Sequence, residues 1–187
     1  MTKFLISDTA IEGLKLITPF YSEDERGSFI KDYSLQLLEK EGIEFHLKEV
    51  FYTYSKKGTI RALHFQREKQ QQKLVRCVKG KIFDVVVDLR SNSPTYKEWL
   101  SFDLNSENNY EILIPSGCAH GYLVQEESIV SYKCDEDFYG KFDDGIIWND
   151  SDIGISWPLS NDEEIILSER DKTLQTFAEF TSKHGTL

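Results

Sequence analysis

Short runs rich in Val, Ile, Phe and Tyr recur along the chain, and polar or loop-forming residues separate them. These residue types are enriched in β-strands. The pattern predicts strands at Phe45–Tyr54, Leu74–Val78, Ile82–Leu89, Trp99–Leu104, Glu111–Ile114 and Tyr122–Tyr132. Lys79-Gly80, between the second and third of these strands, is predicted to form a tight hairpin turn.

Two helices are predicted outside this series of strands. The first, Ser34–Glu41, is expected to be capped by Ser34 and ended by Gly42. The second, Ser168–Phe180, begins with Ser168-x-x-Asp171, which is similar to a capping box. Many short antiparallel strands with few helices indicate an all-β-dominated sandwich or jelly roll. We expect one domain over residues 1–187.

Composition excludes several classes of partner. The net charge is −10 and the pI is near 4.9, which argues against nucleic acid because a phosphate backbone needs a basic surface. No apolar run approaches the roughly 20 residues needed to cross a bilayer, and the N-terminal segment has no signal-peptide core, so no membrane partner is expected. Three cysteines without paired spacing predict a reduced, cytoplasmic protein.

The most informative stretch is Gly58–Gln66, which places Arg61 and His64 on a short, otherwise apolar strand. Charged groups on such a strand are costly unless they have a task. A second run, Ile114–Gly121, carries His120. Two histidines and an arginine on strands that share one cavity would suit chemistry on a small anionic substrate.

Motifs over almost the whole chain resemble the dTDP-4-dehydrorhamnose 3,5-epimerase family, a metal-free branch of the cupin superfamily. The matching fragments, in order, are Asp24-Glu25-Arg26-Gly27-Ser28-Phe29, Gly58–Gln66, Lys73–Arg76, Asp84–Arg90, Ser93-Pro94-Thr95, Ile114–Gly121, Tyr132-Lys133-Cys134, Trp148-Asn149-Asp150, Ile155–Pro158 and Leu167–Asp171. Each fragment alone is weak, but their shared order is specific. The resemblance implies a cupin-type jelly-roll barrel, a homodimer, and a nucleotide-diphospho-4-keto-sugar as substrate.

The resemblance also implies catalytic roles. Inverting a carbon next to a ketone needs a base, an acid on the opposite face and a group that stabilises the enolate. His64 is the candidate base, Asp171 its orienting partner, Tyr132 the acid, and Lys73 the enolate-stabilising cation. Each has an ordinary structural alternative: a satisfied core histidine, a helix-capping aspartate, a packed strand tyrosine and a solvated lysine.

Substrate-binding roles are implied for further residues. One guanidinium group can bind two phosphate oxygens at once, so Arg26 and Arg61 are candidates for binding the diphosphate. The remaining candidates are Glu49, Gln66, His120, Tyr139 and Asp143. Neither a metal nor another cofactor is expected, because His64-Phe65-Gln66 stands where metal-binding cupins carry a His-x-His pair.

Several alternatives stay open at this point. Glu49 and Phe51 occupy positions where thymidine-nucleotide members carry Q-x-N, so a GDP-linked 4-keto heptose is an alternative substrate. Epimerisation at carbon 3 alone or at carbons 3 and 5 is not distinguished. A nucleotide-sugar 3,4-ketoisomerase and a non-catalytic cupin carbohydrate-binding module are further alternatives.

Overall fold

Strands are the predominant secondary structure in the computed structural model, which describes residues 3–160 and 164–187. The strands are β1 (Leu5–Asp8), β2 (Lys15–Thr18), β3 (Phe20–Asp24), β4 (Gly27–Lys31), β5 (Glu49–Ser55), β6 (Ile60–Gln66), β7 (Lys73–Asp88), β8 (Trp99–Asn105), β9 (Glu111–Ile114), β10 (Cys118–Cys134) and β11 (Asp143–Gly145). Two α-helices, α1 (Leu35–Lys40) and α2 (Phe177–His184), and a 3₁₀ turn at Asp171–Thr173 accompany them.

The long strands β7 and β10 pair with each other and each takes part in two sheets. The first sheet has the order β8, the second half of β7, the first half of β10, β6, β11. The second sheet has the order β1, β2, β9, the first half of β7, the second half of β10, β5. This two-sheet antiparallel arrangement is the predicted jelly-roll barrel, and the prediction of fold class is confirmed.

The predicted hairpin turn at Lys79-Gly80 is wrong, because β7 runs through both residues. Gly80 has a φ of +79°, and the β7–β10 register is irregular between Val124 and Val130 on the facing strand. A Cβ on Gly80 would lie 2.2 Å from the carbonyl oxygen of Glu127. The glycine therefore permits a bend that carries one strand from the second sheet into the first.

The predicted C-terminal helix is also wrong in its bounds. Residues 171–173 form only a 3₁₀ turn, and α2 begins after Thr176, whose side chain forms a capping box with Glu179. Ser168 Oγ does accept a hydrogen bond from Asp171 N, at 3.0 Å, so the Ser168-x-x-Asp171 motif shapes a turn. The predicted first helix is confirmed to within about a residue as α1, but the Ser34 side chain at its start makes no capping hydrogen bond.

Apolar side chains form three clusters that hold the sheets in place. One fills the barrel interior, one covers the outer face of the first sheet beneath the C-terminal segment, and one lies under α1 on the second sheet. Phe45, predicted to start a strand, instead packs in the α1 cluster, and β5 begins at Glu49. Within the described residues, no helix has the length and apolar character to span a membrane.

Candidate active site

An irregularity in β6 brings Arg61 and His64 to the same face. Residues three apart on a regular strand point to opposite faces. Here the register against β10 shifts. His64 faces His120 and Arg61 faces Tyr122, so three positions along β6 correspond to two along β10. Ala62 and Leu63 lie between them and both pack in the outer cluster of the first sheet. Arg61 and His64 consequently both point into the barrel.

The barrel encloses an open cavity of about 360 Å³, which we call the main cavity. Its walls come from β5, β6, β7, β10 and β11, from the 67–72 and 135–142 loops, and from the residue before the 3₁₀ turn. The lining residues are Phe51, Thr53, Arg61, His64, Phe65, Gln66, Gln71, Lys73, His120, Tyr132, Phe138, Asp143 and Arg170.

His64 and Asp171 form a hydrogen-bonded pair at the edge of the main cavity. His64 Nε2 lies 2.7 Å from Asp171 Oδ1, although the two residues are 107 positions apart in the chain. Asp171 is 3% exposed, and Ser168 Oγ holds its backbone amide. A carboxylate on Nε2 fixes that nitrogen as the donor, which leaves Nδ1 as the basic nitrogen. The pair has the arrangement of an oriented general base.

A second imidazole–carboxylate pair lies beside the first. His120 is the cross-strand partner of His64, and its Nε2 lies 2.8 Å from Oδ2 of the fully buried Asp84. Burial raises the pKa of the Asp84 carboxyl, although the neighbouring imidazole opposes that shift. His120 therefore presents its ring to the main cavity from a fixed position.

Tyr132 lines the same cavity from the second half of β10, in the second sheet. Its ring stacks on Phe51, with centroids 4.7 Å apart and planes 10° from parallel, and meets His120 edge-on at 5.9 Å. Burial, aided by the neighbouring Tyr122, raises the pKa of the Tyr132 phenol well above its usual value. The phenol is thus protonated at neutral pH and is a proton donor that lines the same cavity as His64.

Cations dominate the main cavity, although the whole chain is strongly acidic. Arg61, Lys73 and Arg170 line it, against a single lining carboxylate, Asp143. Burial lowers the pKa of the Lys73 ammonium. No carboxylate of the described residues lies within ion-pairing distance of Lys73, so its charge is directed at the cavity. The main cavity suits an anionic ligand that carries a carbonyl group.

A family model described as dTDP-4-dehydrorhamnose 3,5-epimerase matches residues 8–179. The chain belongs to this epimerase family. It is 43% identical over 180 residues to the dTDP-4-dehydrorhamnose 3,5-epimerase of Methanothermobacter thermautotrophicus, covering 96% of this chain and 97% of the relative.

Solved structures of the epimerase family agree with the fold. An epimerase from Legionella pneumophila, in complex with dTDP-4-keto-L-rhamnose, superposes with a TM-score of 0.92 at 32% identity, covering 97% of this chain and 96% of that one. A 3′-monoepimerase from Streptomyces bikiniensis, in complex with dTDP-quinovose, superposes with a TM-score of 0.87 at 27% identity, covering 95% and 90%. The predicted family is confirmed, and the comparisons favour a nucleotide-sugar 3,5-epimerase over the ketoisomerase and the binding module.

The structure brings most of the predicted site residues to the main cavity, but two of them have other partners. Gln66 donates to the carbonyl oxygens of Lys69 and Asp137 and accepts from Tyr139 N, so its amide holds the adjoining loop. Asp143 pairs with Arg170 at 2.9 Å. Both line the cavity, yet their polar groups are engaged with the protein itself.

Three predicted binding residues lie outside the lining of the main cavity. Arg26 is on the exposed β3–β4 hairpin and pairs with Asp24 at 2.6 Å. The Tyr139 ring packs near Phe142, with centroids 6.1 Å apart. Glu49 is the first residue of β5, two residues before Phe51, and it does not line the main cavity.

Sequence reasoning missed several lining residues, of which Arg170 and Phe138 are the most prominent. Arg170 directly precedes the candidate residue Asp171, and this adjacency could have identified it as a cavity residue. Phe138 is 57% exposed on a loop, and nothing in its local sequence marks it. Among the described residues, no group of three or more His, Cys, Asp or Glu side chains is placed to hold a metal ion.

Proposed function

We propose that the chain epimerises dTDP-4-keto-6-deoxyglucose at carbons 3 and 5. The observation that carries the proposal is that His64, hydrogen-bonded to Asp171, and the Tyr132 phenol line one cavity from different sheets. The cationic lining and the family membership support a nucleotide-diphospho-sugar as the ligand.

The residues divide the reaction between them. His64 Nδ1 removes the proton next to the ketone, and Asp171 stabilises the imidazolium that forms. Lys73 stabilises the negative charge that develops on the ketone oxygen. Tyr132 returns a proton to the opposite face of the same carbon and inverts it. Arg61 and Arg170 bind the diphosphate.

Deuterium incorporation tests the reaction directly. The protein is incubated with dTDP-4-keto-6-deoxyglucose in D₂O, and the sugar is analysed by NMR. We expect deuterium at carbons 3 and 5 with inversion at both. No incorporation at either carbon would refute the proposal, and incorporation at carbon 3 alone would replace it by a monoepimerase, the activity named for the Streptomyces bikiniensis relative.

The identity of the nucleotide's nucleobase is tested by binding. The relatives are named for dTDP-sugars, and Glu49, the residue that suggested guanine, is not part of the cavity lining. We therefore expect calorimetric titration to give tighter binding of dTDP than of GDP. A preference for GDP would favour the GDP-linked heptose alternative.

We also propose a homodimer. The outer face of β5 exposes Val50, Tyr52 and Tyr54, which are 50%, 54% and 73% exposed. The β3–β4 hairpin pairs with no other strand of the described residues, and it displays Phe29, which is 56% exposed, beside Arg26. A second copy would cover this apolar area. The hairpin would then pack on the other subunit and direct Arg26 towards that subunit's main cavity. Light scattering should give twice the 21.7 kDa chain mass.

A cytoplasmic location is part of the proposal. Cys77, Cys118 and Cys134 are all free and buried, which suits a reducing compartment. Fractionation of cells that produce the protein would test it.

A further inference from the structure

The proposed reaction leaves Tyr132 without its proton after each inversion. A phenolate at this position is 7% exposed, between the Phe51 ring and the edge of His120. Substrate or product fills the main cavity on its open side. While the sugar stays bound, Tyr132 therefore needs another source of protons before it can act on the second carbon.

A second tyrosine connects Tyr132 to other hydroxyl groups. Tyr122 lies two strand steps along β10 from His120 and is 1% exposed. The Tyr122 hydroxyl lies near enough to the Tyr132 hydroxyl for each to shift the pKa of the other. The Tyr122 hydroxyl also lies 2.8 Å from Thr53 Oγ1, and the nearby Ser55 hydroxyl lowers the pKa of the Tyr122 phenol. Tyr122 thus connects the proposed acid to two hydroxyls of β5.

Ser55 is oriented to pass a proton on to Tyr122. Its Oγ accepts a hydrogen bond from Arg61 Nε at 3.0 Å. An accepting oxygen keeps its own hydrogen available as a donor. Arg61 therefore turns the Ser55 hydroxyl into a donor and places a positive charge beside the tyrosines.

The hydroxyl chain ends at a separate pocket on the surface. This second pocket has a volume of about 280 Å³ and is lined by residues that include Ser55, Arg61 and Asp171. Of its lining residues, only Arg61 also lines the main cavity. Water in the second pocket therefore stays in contact with Ser55 while the main cavity holds the sugar.

We propose that Tyr122 and Ser55 form a hydroxyl relay that carries a proton from water in the second pocket to the Tyr132 phenolate. This inference rests on the proposed function. Tyr122 gives its hydroxyl proton to Tyr132, Ser55 gives one to Tyr122, and a water molecule gives one to Ser55. The hydroxide left in the pocket is neutralised by the proton that His64 releases to solvent. The sum restores neutral His64 and protonated Tyr132, and no other reactant is consumed.

The environment favours rapid transfer along this chain. Burial raises the pKa of the Tyr122 phenol, as it does for Tyr132, so neither phenolate persists. The nearby Arg61 charge opposes this shift at both phenols. Because the Tyr122 and Tyr132 phenols have similar environments, moving a proton from one to the other changes the free energy little in either direction.

The test separates the first turnover from later ones. Tyr122→Phe keeps the buried ring but removes the relay hydroxyl, and Tyr110→Phe removes an exposed hydroxyl just before β9 as the matched control. Deuterium in the sugar is measured by rapid quench and mass spectrometry in D₂O. For Tyr122→Phe we expect a first turnover close to that of the wild type, a burst of one deuterium per active site, and a steady-state kcat at least ~10-fold lower.

Other outcomes decide against the relay. An unchanged steady-state kcat shows that the hydroxyl is not needed, and an equal fall in both phases shows that Tyr122 affects only the chemistry or the packing. Ser55→Ala provides an independent measurement, with the same burst expected, and decides the question if Tyr122→Phe does not fold. If the wild-type protein itself incorporates no deuterium, the proposed function fails and not merely the relay.

Discussion

Replacing Asp171 by asparagine tests the dyad with little change in shape. Asp171 Oδ1 lies 2.7 Å from His64 Nε2, and the carboxylate is almost fully buried. The proposed mechanism creates a positive imidazolium beside it each time a proton is removed. The substitution keeps the size of the side chain and removes only the charge that stabilises this intermediate.

The size of the effect follows from the geometry. Unit charges about 4 Å apart at an effective dielectric constant of about 20 interact with roughly 4 kcal/mol, equivalent to about 10³ in rate. The His64 side chain is 29% exposed, so solvent weakens the interaction. We therefore expect kcat to fall by about 10²–10³-fold. KM should change little, because Asp171 does not line the main cavity.

The assay is deuterium uptake at carbon 3 at saturating substrate, with thermal unfolding measured for each variant. Glu169→Gln is the control, because its carboxylate is 90% exposed beside the same 3₁₀ turn and pairs only with Lys172 among the described residues. It should retain wild-type kcat. A loss below about fivefold for Asp171→Asn in a folded protein would refute the role of Asp171 as a partner of the base.

Three further substitutions test the acid and the buried charges. Tyr132→Phe should allow deuterium exchange by the base but reduce inversion by about 10²–10⁴-fold, which NMR separates; equal losses of both would contradict an acid role. Lys133→Met should lower the free energy of unfolding by about 3 kcal/mol in urea titrations, because it removes the cation 2.8 Å from Glu111. Burial raises the pKa of Glu111 to about 7, so this loss should be larger at pH 8 than at pH 6; a pH-independent loss would argue against it. Asp88→Asn should cost about 2 kcal/mol at neutral pH. Although burial opposes it, hydrogen bonds from Arg90 and neighbouring hydroxyls lower the pKa of Asp88 to about 2. Because the folded value lies below the unfolded one, this stabilisation is present above pH 4 and should vanish as the pH falls towards 2.

The strands were predictable because the residue types that favour them lie next to one another in the sequence. The bends were not, because they depend on contacts with distant parts of the chain. Gly80 between two apolar runs reads equally well as a hairpin turn or as a bend in one strand. The facing backbone at Glu127, which decides between them, lies 47 positions further along the chain. The same limit applies at Ser168, where the local hydrogen bond was predicted correctly but the helix expected to start there begins only at Phe177.

The catalytic candidates depended on motif resemblance more than on local physics. Asp171 reads locally as a capping residue, and only the fold brings it to His64. Arg26 shows the opposite case, because a motif match placed it at the site while the single chain leaves it on an exposed hairpin. Motifs identify residues that act together, but they do not state which subunit supplies each one.

The spacing of Arg61 and His64 shows how one irregular strand can satisfy several demands at once. Without the register shift opposite Gly121, one of the two side chains would point into the outer apolar cluster. A Cβ on Gly121 would lie 2.4 Å from that of Ala62, so β10 can approach the irregular segment only where it has no side chain. The shift brings the His64 imidazole to the main cavity and also leaves Arg61 between that cavity and the second pocket. From this position the Arg61 guanidinium lines the main cavity and also donates a hydrogen bond to Ser55 Oγ, so under the proposed function it would link diphosphate binding to the orientation of Ser55.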